Sequence, residues 1–192
     1  MPKETFNNLN EEKKQAILEV LKDEFQTKPF YDVNVKTIVE KLGIARGSFY
    51  QYFENLEDSY FTILNMETVD VHALFMEQYM AENGNLHESL VKYGEKLSQH
   101  LFDSNSYNIY KNRYLYWNED LDRHWKEKYQ NDASINFLQS TSSHTGVVRE
   151  KVHFVKSIIH GLIRRNFQEE WTKEEFLEKY NMQVNWIEEG VK

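Results

Sequence analysis

Only two prolines, Pro2 and Pro29, interrupt a chain of 192 residues, and apolar side chains recur along it every three or four positions. Proline removes a backbone donor and clashes with the preceding turn, so a chain almost without it can run in long helices. A 3.6-residue period marks helices that bury one face, and no stretch alternates apolar and polar residues as a half-buried strand does. The expected fold class is therefore all-α, with about nine helices and no internal repeat.

Composition removes several classes of function. There is no cysteine, which excludes disulfides and thiolate metal sites and fits a reducing cytoplasm. No apolar run reaches the length of about 18 residues that a membrane-spanning helix needs. The opening "MPKETFNNLNEEKKQ" lacks the apolar stretch of a signal peptide, so a cytoplasmic protein is expected, with no membrane partner. The net charge is −8, and residues 1–60 hold 8 Lys and Arg against 11 Asp and Glu, a balance of −3. An acidic chain binds nucleic acid poorly without a shaped site, so any DNA binding must rest on local geometry.

Caps and breakers divide the helices. Asn10 caps a first helix, with Glu11 and Glu12 at the positive end of its dipole and Ile17, Val20, Leu21 and Phe25 on its buried face. Pro29 ends it. Asn34 caps a short second helix, where Val35, Ile38, Val39 and Leu42 fall at i, i+3, i+4 and i+7. Gly43 stops that helix where a left-handed residue is easiest. A longer helix follows "ENLED" and runs to "ENGN" near residue 84, carrying Tyr60, Leu64, Val71, Phe75 and Tyr79. Asn85 with Glu88 opens the next, to about Asp103. An aromatic helix over 107–117, another over about 119–139, a loop "STSSHTG" at 140–146, and helices over about 147–168 and 172–189 complete the chain. Thr172 with Glu175 forms a capping box for the last.

The segment "GIARGSFYQYF", residues 43–53, is the most informative. With Phe49 and Phe53 on the buried face at i, i+4, helical rotation turns Gly47 and Gln51 the opposite way, flanked by Ser48 and Tyr50. A bare backbone, an amide, a hydroxyl and a phenol form a face that approaches another molecule and reads hydrogen bonds. A short helix, a turn at Gly43 and a second short helix with such a face make a helix-turn-helix, whose second helix enters a DNA major groove.

The stretch "FYDVNVKTIVEKLGIARGSFYQYFENLEDSY" (30–60) resembles the DNA-binding domain of the tetracycline-repressor (TetR) family of bacterial transcriptional regulators. The resemblance is carried by Phe30-Tyr31, Val35, Ile38-Val39, Gly43-Ile44, Gly47-Ser48-Phe49-Tyr50, Tyr52-Phe53, Asn55 and Glu57-Asp58. It implies that Arg46, Gly47, Ser48 and Gln51 lie at base edges or nearby phosphates, and that Tyr50 and Tyr52 touch the sugar-phosphate backbone. Packing is the other reading of both tyrosines. It further implies that Asn34, Lys36 and Thr37 grip phosphate at the start of the second helix. Two positions depart from the family pattern. Leu56 stands where a lysine is common, and Ala45 where a serine or threonine often caps the recognition helix, a loss of about 1 kcal/mol. Both lower the expected non-specific affinity, unless Lys14, Lys28, Lys36 and Arg46 cluster with the acids turned away.

The resemblance also implies a domain of DNA binding over 1–56 and a helical domain for ligand sensing and dimerisation over 57–192. In "YNIYKNRYLYW", Tyr107, Tyr110, Tyr114 and Trp117 form a stripe with Arg113 and Asn112 beside it, and Trp125 and Tyr129 follow. An effector site at Tyr110, Arg113, Tyr114, Trp117 and Trp125 fits the apolar lining and few polar groups of small-molecule pockets. An ordinary bundle core with a solvated arginine fits the same pattern. For the dimer, Ile159, His160, Ile163, Tyr180 and Val184 on the last two helices are the candidates, packed as a four-helix bundle about a two-fold axis. Internal packing of both stripes is the alternative. His153 and His160 stand seven apart, too far for the ligation seen at i, i+4, so no metal or other cofactor is expected. No catalytic residue is identified: nucleophile motifs and phosphate loops are absent, and "SxxxH" at 140–144 has no acid nearby to orient its histidine. The function expected is a ligand-responsive homodimeric repressor of a palindromic double-stranded operator. The alternative is a family member acting mainly through a protein partner.

Overall fold

A computed structural model describes residues 2–129 and 146–190. Among the described residues the fold is all-α, with eleven α-helices, one 3-10 turn and no strand. In chain order these are α1 (Glu4–Asn7), α2 (Glu11–Thr27), the turn Phe30–Asp32, α3 (Val35–Leu42), α4 (Arg46–Tyr52), α5 (Leu56–Glu67) and α6 (Val71–Ala81). There follow α7 (Leu86–Leu101), α8 (Tyr107–Tyr116), α9 (Glu119–Tyr129), α10 (Gly146–Glu169) and α11 (Lys173–Gly190). The far half of the helix expected over 119–139, the loop expected to follow it up to residue 145 and the "SxxxH" stretch lie outside the described residues.

The cap signals fold as their chemistry requires. Asn10, Asn34, Asn55 and Asn85 each accept the backbone N–H three residues on, from Lys13, Thr37, Asp58 and Glu88. Thr172 and Glu175 exchange both bonds of a capping box, at 2.8 and 3.2 Å. The single long helix expected from "ENLED" to residue 84 is instead two. Thr68 turns its hydroxyl back onto the Leu64 carbonyl at 2.6 Å, and Asp70 caps α6 through the Ala73 N–H at 3.2 Å. Threonine and aspartate compete with the helix for backbone partners, and here they win over an unbroken apolar stripe.

The chain divides into two compact units, Met1–Thr68 with Asn108–Lys128, and Val69–Tyr107 with Tyr129–Lys192. In the first, Ile17, Leu21 and Phe25 of α2 are buried with Ile38 of α3, Phe49 of α4, Phe53 and the buried run Tyr60–Leu64 of α5. Each such aliphatic or phenyl side chain contributes about 1.5–3 kcal/mol by leaving water. Glu24 is buried within this unit, and Lys28 and Lys41 approach its carboxylate at 2.9 and 2.8 Å. Burial raises its pKa, but the hydrogen bonds and charges of Lys41 and Lys28 outweigh it and hold the group below the ordinary 4.5.

In the second unit α7 packs against both α6 and α11, and α10 packs against α11. Gly94 of α7 lets α11 approach closely: a Cβ there would stand 2.4 Å from the Tyr180 ring. The Tyr180 hydroxyl donates to the Leu90 carbonyl at 2.7 Å, and that of Tyr93 to the Val71 carbonyl at 3.0 Å.

Candidate nucleic-acid interface

The helix-turn-helix is built from α3, a tight turn and α4. Asn34 accepts the Thr37 N–H at 3.0 Å and the Thr37 hydroxyl at 3.2 Å, so both side chains are held at the exposed start of α3. Gly43 sits at φ 64°, and the Ile44 N–H reaches back to the Val39 carbonyl at 3.1 Å. A side chain at that φ would strain the turn, which is why glycine stands there.

In α4, Phe49 and Tyr52 are buried while Arg46, Gly47, Tyr50 and Gln51 are exposed and Ser48 is half-buried. An added Cβ on Gly47 would meet nothing within 4 Å, so this surface is open to a close approach. Arg46 lies along its helix toward Tyr50, with Nη2 donating to the phenol oxygen at 3.4 Å. The two tyrosines part company. Tyr50 is 38% exposed, whereas Tyr52 is 6% exposed, with its ring 6.3 Å from that of Phe6 and the Lys13 ammonium 5.7 Å from its centroid. Tyr52 thus takes the packing option, because α1 covers it. Ala45 is extended and makes no side-chain cap to α4.

The other end of α4 is held by the N-terminal segment, an element without a signal in the sequence. Lys3 and Thr5 bond the carbonyls of its last turn, and Phe6 packs on Tyr52 and Phe53. A one-turn helix is too short to show a period, and its partners are remote in the chain.

Charge around this surface differs from the count over residues 1–60. Lys14 pairs with Glu11 at 2.7 Å and Lys36 with Glu40 at 3.8 Å, while Lys28 engages Glu24, so the lysines are tied to acids on their own helices. The acids at the start of α5 are met by side chains from α9. His124 Nδ1 lies 3.1 Å from Glu57, and Lys128 lies 3.0 Å from Asp58 and 3.6 Å from Glu54. Asp58 is fully buried. Burial pushes its pKa up, but hydrogen bonds, those from Lys128 and the Glu54 N–H among them, carry it below the usual value. Local acidity is therefore partly neutralised by residues outside the helix-turn-helix.

The aromatic candidates also lie in this unit. The Arg113 guanidinium sits 5.2 Å from the ring centroids of both Trp117 and Trp125, which meet edge to face 6.1 Å apart. Its Nη1 donates to the Thr68 hydroxyl at 3.0 Å. Phe61 closes on both indoles, at 6.0 and 5.2 Å. Arg113, Trp117 and Trp125 are brought together; Tyr110 is fully buried and Tyr114 half-buried. Next to Arg113, the Asn112 amide donates to the carbonyls of Phe25, Gln26 and Lys28 at 2.9–3.2 Å, which closes the C-terminal end of α2. That role for Asn112 depends on contacts more than 80 residues apart.

The residues considered for a dimer seam fall differently. Ile159, Ile163, Tyr180 and Val184 are all buried within the second unit, and His160 alone is half-exposed. Their apolar periodicity is consumed by internal packing. Among the described residues, the exposed large apolar side chains on α10 and α11 are Phe154, Met182 and Trp186. His153 is exposed, and no group of three or more potential metal ligands occurs among the described residues. No described helix is long and apolar enough to cross a membrane.

This architecture, with an exposed reading helix after a glycine turn, defines a helix-turn-helix DNA-binding protein. Residues 17–58 match the family model "bacterial regulatory proteins, tetR family", and residues 86–190 match "tetracyclin repressor, C-terminal domain". The second match spans more than half of the chain, and the chain belongs to the tetracycline-repressor family of transcriptional regulators. It is a DNA-binding regulator and not an enzyme; members of the family bind DNA, typically dimerise and typically bind small-molecule effectors. Three solved structures share the fold. A TetR family regulator from Chloroflexus aurantiacus is 21% identical, with 99% of this chain and 98% of that one covered and a TM-score of 0.53. NalD of Pseudomonas aeruginosa, the secondary repressor of the MexAB-OprM multidrug efflux pump, is 18% identical over 91% and 96%, with a TM-score of 0.65. A TetR family regulator from Marinobacter aquaeolei is 17% identical over 90% and 94%, with a TM-score of 0.51. None of the curated proteins matches the chain by sequence.

Proposed function

We propose that this chain is a ligand-responsive, homodimeric repressor that reads a palindromic operator in the cytoplasm. The observation that carries the reading is the outward face of α4, where Arg46, Gly47, Tyr50 and Gln51 are exposed over a buried Phe49. In a major groove Gln51 pairs with the N6 and N7 of adenine, and Arg46 takes guanine or phosphate. Ser48 and Tyr50 reach the adjacent edge and backbone. Asn34, Lys36 and Thr37 hold phosphate at the start of α3, and Tyr52 supports the helix from within. Functionally, residues 1–56 read DNA and residues 57–192 sense and dimerise.

Two copies associate through α10 and α11. Their outward residues Phe154, Met182 and Trp186, with His160, supply a seam, and Gly161 has open space above it for close helix approach. The effector is taken at Arg113, Trp117 and Trp125, with Tyr110 and Tyr114 on the same helix. A ligand that prefers the non-DNA conformation shifts α5, and the two α4 helices then miss major grooves about 34 Å apart. The reading through a protein partner rests on Leu56, Ala45 and the acid count, of which Lys128 offsets Asp58 locally.

Selection of the purified protein on random duplex DNA, followed by salt titration of the enriched site, tests the proposal. The expected result is a palindrome whose binding is lost in Gln51→Ala and Tyr50→Ala. Absence of enrichment at low salt sinks it and favours the protein partner.

A further inference from the structure

We infer that the ligand taken by the Arg113 cluster is a planar aromatic monocarboxylate. The inference rests on the effector reading above and names the chemistry of that site. The chain carries net charge −8, yet Arg113 has no carboxylate partner among the described residues. Its partners are two indole faces and the Thr68 hydroxyl. Asp122, which accepts the Trp117 Nε1–H at 3.4 Å, is paired with Lys126 at 2.5 Å.

A guanidinium presents five N–H groups in a flat fork, and one of them meets Thr68. The fork matches the two oxygens of a carboxylate. One cation calls for one negative charge, which disfavours dianionic phosphate. The walls are rings: Trp117 and Trp125 meet edge to face, and Phe61 contacts both. A flat conjugated body lies against such faces by offset or edge contact. A cationic ligand would have to displace Arg113 from two cation–π contacts before it could use them. Occupancy reaches the DNA-reading unit directly, because Thr68 ends α5 and Asn112, adjacent to Arg113, closes α2.

Calorimetric titration of the full chain with benzoate, benzamide and phenyltrimethylammonium tests this. Benzoate is expected to bind at least tenfold more tightly than either, and Arg113→Gln is expected to abolish that preference. The benzoate-to-benzamide ratio of the unaltered protein stands even where the variant does not fold. Equal binding of the three, preference for the cation, or no binding at all overturns the inference. Operator binding in the absence of any ligand is measured on the same preparation: its presence alongside a failed benzoate preference sinks only the ligand class, and its absence sinks the repressor reading itself.

Discussion

The Lys3 ammonium donates to the Tyr50 carbonyl at 2.8 Å across 47 residues of sequence, and the Lys3 backbone N–H donates to the Tyr52 carbonyl, also at 2.8 Å. Thr5 supplies the Gln51 carbonyl between them through its hydroxyl. The last turn of a helix leaves carbonyls without intrahelical partners. In α4 three of those groups are met from one N-terminal segment. A reading helix of seven residues, with no cap at its start, is held at its end by tertiary contact.

Removing the two side-chain donors, in Lys3→Ala with Thr5→Val, is expected to weaken operator binding about tenfold, since each bond contributes about 0.5–1.5 kcal/mol. The salt slope of binding separates positioning from a direct phosphate contact, which would lower the slope by about one. Unchanged affinity in that double variant rules out the positioning role.

Ala45→Ser supplies the missing cap of α4. Stability is expected to rise by about 1 kcal/mol, read as a higher urea midpoint at constant slope. A midpoint that stays put or falls shows that the α4 amides are already satisfied.

Gly94→Ala tests the contact of α7 with α11. A buried helical glycine replaced by alanine ordinarily gains about 0.5–1 kcal/mol. Here the new methyl meets the Tyr180 ring at 2.4 Å, so a net loss of about 1–3 kcal/mol is expected from overpacking. The sign of the change in thermal midpoint decides the matter.

Asn166 of α10 is fully buried, and neither atom of its amide has a hydrogen-bonding partner among the described residues. An unsatisfied buried polar group costs about 1–3 kcal/mol, so Asn166→Leu is expected to stabilise the fold by up to that amount. Destabilisation in calorimetry would mean that the amide is used.

Glu24 governs an acid limb of stability. Its folded pKa lies below 4.5, because Lys41 and Lys28 outweigh its burial. The contribution is therefore present above that value and is lost as pH falls through the folded pKa. The stability gap between the parent chain and Glu24→Gln is expected to shrink between about pH 6 and about pH 3. A gap independent of pH over that range contradicts the ion-pair account.

Much of the fold was legible because its signals are local. A cap joins residues three apart, and Asn10, Asn34, Asn85 and the Thr172–Glu175 pair announce helix starts that the structure contains. Gly43 marks a left-handed turn for the same reason. The break at Thr68–Asp70 was equally local, yet the apolar stripe from Tyr60 to Tyr79 ran through it and masked the two capping side chains. On α4 the sequence separated Phe49 from Gly47 and Gln51, because helical rotation alone does so.

Other features depended on which faces meet. An apolar stripe says that a face is buried, not against what, so Ile159, Ile163, Tyr180 and Val184 suit a subunit seam and a unit's own core equally well; the structure uses them in the core. Tyr52 is drawn inward by α1, and Arg113 is held between the indole of Trp117, just past α8, and that of Trp125 on α9. Sequence by itself determined the helical class, most helix starts and the outward chemistry of α4, since these follow from bonds and rotations within a few residues. Tertiary structure alone decided the Lys3 clamp on α4, the Asn112 closure of α2 and the neutralisation of Asp58 by Lys128, because each joins groups that only folding brings within hydrogen-bond distance.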